Sequence, residues 1–395
     1  MKISKRNNAR RAGGFTLVEL LLGSSILLIV VIGTLSLFER SNKISVDQTR
    51  FSEVQHDVRS AMYFVSRDAR MAGVGLEAYL TGYGVEGQDA WGPSPESSDC
   101  LKMMGNFDYP LKLNIREYNA GSVHGSENVF LYDYELENTP YQCPEFFENK
   151  VLLIISTRCP GCYAFRFAAT NSVQGCGEGT AHIVFNHGRS DINPPGGLID
   201  IEAGCTEECW DDAFITFGQV KFYWLDSTGD PDDYPDLNLT TGQDGYLGIP
   251  NVLYLSTNSE TGVSQHMPLA MNIENLQFEY NGDFDADGNL DGFRVWDNVN
   301  WTILATDDAA TRQTKRELLA KLSQIRIQIL GRTPEPYLTV SKTAVTDVQL
   351  YRRPALSNSP AATGPTPDDW RRRFLLESTA TIRNNALVIY NTGQH

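Results

Sequence analysis

The feature that most constrains this chain is an apolar run near its N-terminus. Across residues 15–38 the only charged side chain is Glu19. As an α-helix this run extends roughly 36 Å at about 1.5 Å per residue, which is enough to cross a hydrocarbon core of about 30 Å. The segment before it, residues 1–14, carries five basic and no acidic side chains, a bias that retains a segment in the cytoplasm. The sequence therefore predicts one membrane crossing at 15–38, with the residues from Glu39 onward outside.

A cleaved secretory signal peptide is the first alternative for this run. Such a signal has an apolar region of about 7–15 residues that is followed by a small-residue cleavage site. Here the small pair, Gly13 and Gly14, precedes the apolar run. Cleavage at this pair removes only the basic leader, residues 1–14, and leaves the apolar helix on the mature chain.

The most specific motif in the sequence surrounds Gly14. This glycine is followed by the hydrophobic Phe15 and, four residues later, by Glu19. The arrangement resembles the class III leader junction of type IV pilins and type II secretion pseudopilins. The resemblance implies that a prepilin peptidase cuts after Gly14 and methylates Phe15, which becomes the mature N-terminus.

The carboxylate of Glu19 needs a physical reason to lie in an apolar helix. A lone carboxylate in lipid costs several kcal/mol or changes its protonation state. Cleavage creates a positive amine about one helical turn away, and the resemblance implies that Glu19 pairs with such an amine on a neighbouring subunit. The alternative is that Glu19 extends to the lipid headgroups at the helix end.

The helix is predicted to continue beyond the membrane as an amphipathic segment over residues 39–75. From Phe51 to Ala72 apolar residues recur every three or four positions, and charged residues occupy the other face. The apolar face predicts packing on a globular head, with a coiled coil as the alternative. The stretch DVRSAMYFVSRDARMAGVG (57–75) resembles PilW-type minor pilins. Three later segments are similar to strands of that group, namely 268–289, 321–333 and 370–384.

The remainder of the chain, residues 76–395, is predicted to form a β-rich head. Segments rich in β-branched and aromatic residues are separated by Gly- and Pro-containing turns. Only residues 311–322 indicate a second sizeable helix. The predicted fold class is α+β, with a long N-terminal helix against antiparallel sheets. The predicted strands are 150–156, 181–187, 213–225, 251–256, 275–280, 323–330 and 377–383.

Seven cysteines lie beyond the apolar run, and a location outside the cytoplasm favours disulfides. The odd count leaves at least one cysteine free or bonded to another chain. Two other interpretations stay open: a redox pair in Cys-Pro-Gly-Cys, or a zinc site that joins this pair to Cys205 and Cys209. The disulfide candidates are Cys100, Cys143, Cys159, Cys162, Cys176, Cys205 and Cys209.

The stretch DFDADGNLD (283–291) predicts a calcium site. Its aspartates and a glycine follow the spacing of an EF-hand-like loop, and a hard divalent cation relieves the repulsion between clustered carboxylates. Two features depart from that pattern: Arg294 stands where a bidentate glutamate is expected, and the flanks look like strands. The alternative is a metal-free Asp/Gly turn. The candidate ligands are Asp283, Asp285, Asp287, Asn289 and Asp291.

Charge and motif content limit the function classes. The chain has a formal net charge of −16, and such a surface repels nucleic acid, so no direct nucleic-acid binding is expected. The sequence contains no Gly-x-Ser-x-Gly, HExxH or phosphate-binding loop, and no enzymatic activity is predicted.

The resemblance implies a minor pilin of a type IV pilus that takes part in a priming or tip complex. It implies an inner-membrane precursor with its head in the periplasm and a later place on the pilus, at its tip. The implied partners are other minor pilins, the major pilin, the prepilin peptidase and the inner-membrane assembly platform. Two alternatives remain: a J-type pseudopilin of type II secretion, and a membrane-anchored, calcium-dependent adhesin that does not polymerise.

Overall fold

The computed structural model describes most of the helix and the strands of the head. The described residues are 16–74, 84–90, 97–107, 112–119, 126–132, 147–148, 150–159, 162–169, 171–175, 181–186, 206–211, 213–226, 251–257, 265–302, 307, 309–336, 353–357 and 371–382.

The N-terminal helix, α1, is one uninterrupted element of 55 residues, Leu17–Met71. Every residue from 17 to 46 is exposed, and most of these side chains are apolar. The second half packs against the head, because side chains spaced three or four residues apart are fully buried: Val54, Val58, Ala61, Val65 and Ala69. Gly73, with a φ of 77°, lies directly after the C-cap, where a left-handed residue commonly ends a helix. The prediction of a single long helix with an exposed half and a packed half is confirmed.

The described part of the head contains fifteen strands and a second helix. That helix, α2, spans Ala309–Leu319. In chain order the strands are β1 Val85–Gln88, β2 Cys100–Gly105, β3 Leu113–Asn119, β4 Ser126–Leu131, β5 Lys150–Ile155, β6 Tyr163–Ala168, β7 Val173–Gln174, β8 His182–Asn186, β9 Phe214–Phe217, β10 Gln219–Asp226, β11 Val252–Thr257, β12 Gln265–Ala270, β13 Ile273–Gly282, β14 Leu322–Arg332 and β15 Arg373–Thr381.

Two antiparallel sheets and α1 share the main hydrophobic core. One sheet has the strand order β1-β2-β10-β11-β12, and the other has the order β13-β14-β15. The contact between α1 and β14 is close at Gly331, where an added Cβ would lie 2.5 Å from a methyl carbon of Val58 and 2.7 Å from one of Val54. Glycine is therefore required for this approach of helix to strand. We call α1, α2 and these two sheets the helix-bearing core.

A third, seven-stranded sheet lies in the chain between two adjacent strands of the core. Its order is β6-β5-β9-β3-β4-β8-β7, and its strands come from the chain between β2 and β10. Those two core strands pair directly, with Gly105 opposite Gln219. The segment 106–218 is therefore an insertion in the chain between the paired strands β2 and β10, and we call it the inserted sheet.

The inserted sheet has its own hydrophobic core and meets the helix-bearing core at a polar junction. One face buries apolar side chains from most of its strands around Trp210. At the junction the Asn106 amide nitrogen donates to the Thr216 hydroxyl at 2.9 Å, and the Phe107 N–H donates to the Gln219 side chain at 2.8 Å. The Lys221 ammonium lies 4.6 Å from the centre of the Phe107 ring.

The α+β prediction is confirmed, but one of the predicted strands is wrong. Residues 213–225 were predicted as one strand, but they form β9 and β10, which belong to different sheets. The chain changes sheet at Gly218, because β9 pairs with β3 and β5 whereas β10 pairs with β2 and β11. Local composition could not show this change, since both halves have the same apolar, aromatic character.

Candidate functional site

The first turn of α1 holds the Glu19 carboxylate in a capping box. The Thr16 N–H and the Thr16 hydroxyl both donate to Glu19 Oε2 at 2.9 Å, and the Glu19 N–H donates to the Thr16 hydroxyl at 3.3 Å. A Thr-x-x-Glu sequence favours this reciprocal arrangement, which satisfies N–H groups that have no partner within the helix. The side chain of Glu19 therefore folds back toward the start of the helix rather than out along it.

This geometry brings the carboxylate back to Thr16, near the start of the described chain. Gly14 and Phe15 lie outside the described residues, but Thr16, which donates to Glu19, directly follows Phe15 in the chain. A negative group in the first turn is also favoured by the helix dipole. The arrangement can accept an additional hydrogen bond or an ion pair from a cationic group at the N-terminal end of the helix.

By length and apolar composition α1 could cross a membrane, and its most apolar 18-residue window is entirely unburied within the protein. Together with the packed second half, this gives a chain with an anchor-like segment continuous with the head. The backbone carbonyls of Leu21 and Val30 accept hydrogen bonds from the hydroxyls of Ser25 and Thr34, so these polar side chains are satisfied inside the helix.

A buried ionic network joins α1 to β10. Asp68 is fully buried, and its Oδ2 accepts from the Lys221 ammonium at 2.9 Å and from the Tyr223 hydroxyl at 2.6 Å. Its Oδ1 pairs with the Arg67 guanidinium at 2.9 Å. Burial, followed by the nearby Asp68 charge, raises the pKa of Tyr223 far above its ordinary value, so this phenol stays a hydrogen-bond donor. One signal of this network is visible in the sequence and was missed: Asp68 is a charged residue on the core-facing side of the helix, where Val65 and Ala69 also lie.

The predicted metal loop follows β13, and three of its five candidate ligands come together. Carboxylate oxygens of Asp283, Asp285 and Asp287 all lie within 4.8 Å of one another. Asp283 is buried and its two oxygens accept from the N–H groups of Asp287 and Gly288, at 3.0 and 2.9 Å. Gly288, at φ +88°, gives the loop the turn that brings these donors back to Asp283.

The other two candidate ligands have different surroundings. The Asp291 carboxylate accepts from the Phe284 N–H at 2.8 Å and lies 3.6 Å from the Arg294 guanidinium. Asn289 is exposed, and its N–H donates to the Asp287 side chain at 2.8 Å. Arg294 forms a β-bridge with Tyr280, so the loop closes on a strand-like residue rather than on a helix. The donor set therefore fits a cation through three carboxylates and lacks the bidentate glutamate of a full EF-hand loop.

Aromatic side chains pack against Phe284 of this loop. The Phe284 ring stacks on Trp301 at 5.2 Å, and Trp301 meets Trp296 edge to face at 5.2 Å. The Trp296 indole N–H donates to the Thr302 hydroxyl at 3.0 Å. Two tryptophans are thus connected to the loop through the Phe284 ring, and they can report on changes in it.

The structure pairs cysteines that are distant in sequence. Cys159 and Cys209 form a disulfide within the inserted sheet, and Cys162 is disulfide-bonded as well. The disulfide prediction is thus confirmed for the Cys159–Cys209 pair. The redox-pair and zinc interpretations of Cys-Pro-Gly-Cys are wrong, because Cys159 is bonded to Cys209 and Cys162 is also in a disulfide, so neither cysteine of the motif is a free thiolate.

Cys100 corrects the list of disulfide candidates. It is free and buried, and it lies on β2 in the helix-bearing core. Burial raises the pKa of its thiol well above the ordinary value, so it stays neutral. Cys143, Cys176 and Cys205 lie outside the described residues.

The comparison with protein families bears on the C-terminal part of the chain. Residues 238–384 match the family model described as Type IV Pilus-assembly protein W, PilW. Over this region the chain is PilW-like. The matched span contains β11 to β15 and the aspartate loop, and it begins after the inserted sheet. No curated protein and no solved structure gives a significant match to the chain.

The predicted resemblance to PilW-type pilins is therefore confirmed, and it connects the chain to type IV pilus assembly. The match falls on sheets that contact α1, and the helix belongs to the same packed unit as the matched strands.

Proposed function

We propose that this chain is a minor pilin of a type IV pilus, which is cleaved after Gly14, methylated at Phe15 and incorporated into a priming or tip complex. The observation that carries the proposal is the continuity of α1. One helix has an exposed apolar half and a half buried against PilW-like sheets, so a membrane segment and a head move as one body.

The proposed mechanism is assembly rather than a chemical reaction. The apolar half holds the precursor in the inner membrane, with the head in the periplasm. In a filament the apolar halves of several subunits bury one another, and Glu19 forms an ion pair with the Phe15 amine of a neighbouring subunit. The partners are then other minor pilins, the major pilin, the prepilin peptidase and the assembly platform.

Replacing Glu19 tests this mechanism. In Glu19→Ala we expect cleavage after Gly14 to persist, while the amount of the chain in sheared filaments falls by about tenfold or more, because a buried amine is left without its partner. Glu39→Ala is the matched control, since Glu39 lies on the same helix and pairs with the exposed Lys43 at 2.7 Å. Normal incorporation of Glu19→Ala would contradict the proposal and favour a non-polymerising adhesin.

The J-type pseudopilin is the rival within the same assembly class. The family match favours the pilus, because the matching family is described as a pilus-assembly protein. A strain that lacks this gene should lose surface pili and keep normal protein secretion. Loss of secretion with intact pili would reverse the choice.

A second proposal is that the aspartate loop binds calcium. The convergence of the Asp283, Asp285 and Asp287 carboxylates favours it, and the incomplete ligand set suggests a dissociation constant of roughly 10⁻⁴–10⁻³ M, as in extracellular modules. When bound, the cation would neutralise the carboxylates and hold the loop over the Phe284–Trp301 stack.

Terbium luminescence is a direct measurement for this loop, because Trp301 stacks on Phe284 within the loop and Trp296 contacts Trp301, so both indoles are close enough to sensitise a bound ion. We expect sensitised emission that calcium displaces and that is lost in Asp285→Asn combined with Asp287→Asn. The control is Asp211→Asn, an exposed aspartate in the inserted sheet. If the double variant keeps the emission, or calcium produces no heat on titration, the loop is a plain turn.

A further inference from the structure

The outer face of α1 carries a stripe of basic and aromatic side chains. Between residues 56 and 70 the exposed side chains recur every three or four positions and so lie on one side of the helix. This side is opposite the residues that enter the core, such as Val58 and Val65. We call the five exposed residues the arginine stripe: His56, Arg59, Tyr63, Arg67 and Arg70.

The stripe is positive on a strongly acidic protein. No acidic side chain is exposed between residues 56 and 70, because Asp57 is half-buried and Asp68 is buried. Arg67 shares Asp68 with Lys221, so these three charges leave a net +1. Arg59 lies 5.7 Å from the centre of the Phe374 ring, a contact that leaves its charge unneutralised. In contrast, the chain as a whole has a net charge of −16.

The centre of the stripe has the composition of a binding hot spot. The Tyr63 side chain is 64% exposed, and the adjacent Phe64 ring lies edge to face with it at 5.5 Å. The Arg67 guanidinium lies 5.5 Å from the centre of that Phe64 ring. Tyrosine and arginine are enriched among residues that dominate binding energy, and here Tyr63 is flanked by arginines about one turn away on each side.

The position of the stripe identifies the kind of partner. It begins 18 residues beyond Phe38, which is roughly 27 Å along the helix, whereas the headgroup layer is only about 5–8 Å thick. Lipid phosphates are therefore out of reach. Arg59, at one edge of the stripe, contacts Phe374 of β15, while Tyr63, Arg67 and Arg70 are exposed on the side of α1 away from the core. A second helix rising from the same membrane can therefore lie along these three side chains.

We infer that the arginine stripe docks an acidic helix of a neighbouring pilin-like subunit. The inference rests on the proposed function, and it adds which face of the helix is used and the charge of its partner. Parallel α1-type helices anchored in one membrane present their extramembrane halves side by side. Acidic residues on the partner helix then face Arg59, Arg67 and Arg70, and an apolar or aromatic residue covers Tyr63.

A photo-cross-linker placed at Tyr63 tests this assignment in the full-length chain. With p-benzoylphenylalanine at position 63 in the native host, we expect a cross-link whose peptide maps to the extramembrane helix of a different prepilin. Arg59→Glu combined with Arg70→Glu should lower its yield about tenfold, because attraction is replaced by repulsion on both sides of the probe. Arg59→Lys with Arg70→Lys keeps the charge and should stay within about twofold of the unsubstituted arginines.

Several outcomes of the cross-linking experiment would contradict the inference. A cross-link to lipid, to a second copy of this chain or to a protein without a pilin-like helix would overturn the inference, as would unchanged yield in the charge-reversed variant. Absence of any cross-link in a correctly folded chain would overturn it too. Cleavage after Gly14 and entry into filaments are measured in the same strains. If a chain with the unsubstituted arginines is not cleaved or does not enter filaments, the result counts against the proposed function instead.

Discussion

The helix-bearing core and the inserted sheet are stabilised in different ways. The core is built around α1 and contains the buried Asp68 network, and its one cysteine within the described strands, Cys100, is free. The inserted sheet, residues 106–218, contains six of the seven cysteines. It also contains six basic and sixteen acidic residues, so a net charge of −10 out of the chain's −16 lies there.

This difference separates two roles. The core carries the apolar helix, the arginine stripe and the strands that match PilW, so it contains every part on which the proposed assembly role rests. The inserted sheet is attached through adjacent strands, β2 and β10, and it has a separate hydrophobic core. A cross-linked, acidic module can thus vary without disturbing the packing of α1.

The largest loss of stability that tests this separation is expected on substitution of Asp68. Asp68→Asn leaves Lys221 buried without its counter-charge, and breaking a buried pair costs about 3–5 kcal/mol. Hydrogen exchange followed by mass spectrometry should show lost protection in β10 and the second half of α1. Protection in β5 and β9 of the inserted sheet should be unchanged.

Glu53→Gln is the matched control for Asp68, because Glu53 is exposed on the same helix and should change stability by less than about 0.5 kcal/mol. If Asp68→Asn were equally mild, or if the inserted sheet lost protection as well, the two regions would not be energetically separate.

A smaller destabilisation, in the inserted sheet rather than in the core, is expected when the disulfide is removed. Cys159→Ala with Cys209→Ala opens a cross-link between residues 50 apart in sequence, which should destabilise the inserted sheet by about 2–4 kcal/mol. The same exchange experiment should show loss in β5 and β9 and none in β13 and β14. Cys100→Ala is the control, since that thiol is free. Loss of protection throughout the core would contradict the separation.

The smallest effect is a pH dependence confined to the core. Asp99 is buried between the N–H groups of Ala90 and Phe278, near Asp89, Cys100 and Tyr280, and burial raises its pKa to about 8. Because the folded-state pKa is the higher one, the contribution of Asp99 to stability is full below its unfolded pKa near 3.8 and is lost as pH rises through about 8.

Between pH 7 and pH 9 the core should therefore lose about 1 kcal/mol of unfolding free energy. Denaturant titrations at the two pH values measure this loss, and Asp99→Asn, which cannot ionise, should remove the difference between them. A wild-type core that is more stable at pH 9 than at pH 7 would refute the assignment.

Local patterns predicted the parts of the fold that local physics determines. The three- and four-residue apolar spacing gave α1 almost to its ends, and the β-branched and aromatic segments gave β5, β8, β11, β13, β14 and β15. Strands with polar or mixed composition were missed, such as β1 with the sequence VEGQ and β12, where Pro268 lies on an edge strand that can tolerate it. Neither has the alternation that identifies a half-buried strand.

The parts that depend on distant contacts could not be predicted. The insertion between β2 and β10 rests on the pairing of Gly105 with Gln219, and nothing in either segment indicates the other. Likewise, the Cys-Pro-Gly-Cys spacing suggested a local pair, whereas the fold brings Cys159 to Cys209. In the aspartate loop the sequence predicted the three converging carboxylates, but it could not show that Asp291 turns to Phe284 and Arg294 instead.

The central claim is that prepilin processing makes the start of α1 the N-terminus of a mature pilin subunit. The most direct measurement is mass spectrometry of the N-terminal peptide of the protein purified from its native membrane. We expect a chain that starts at Phe15 with a methylated amine and retains Glu19. A chain that keeps Met1 and its basic leader, or one cleaved beyond the apolar run, would contradict it.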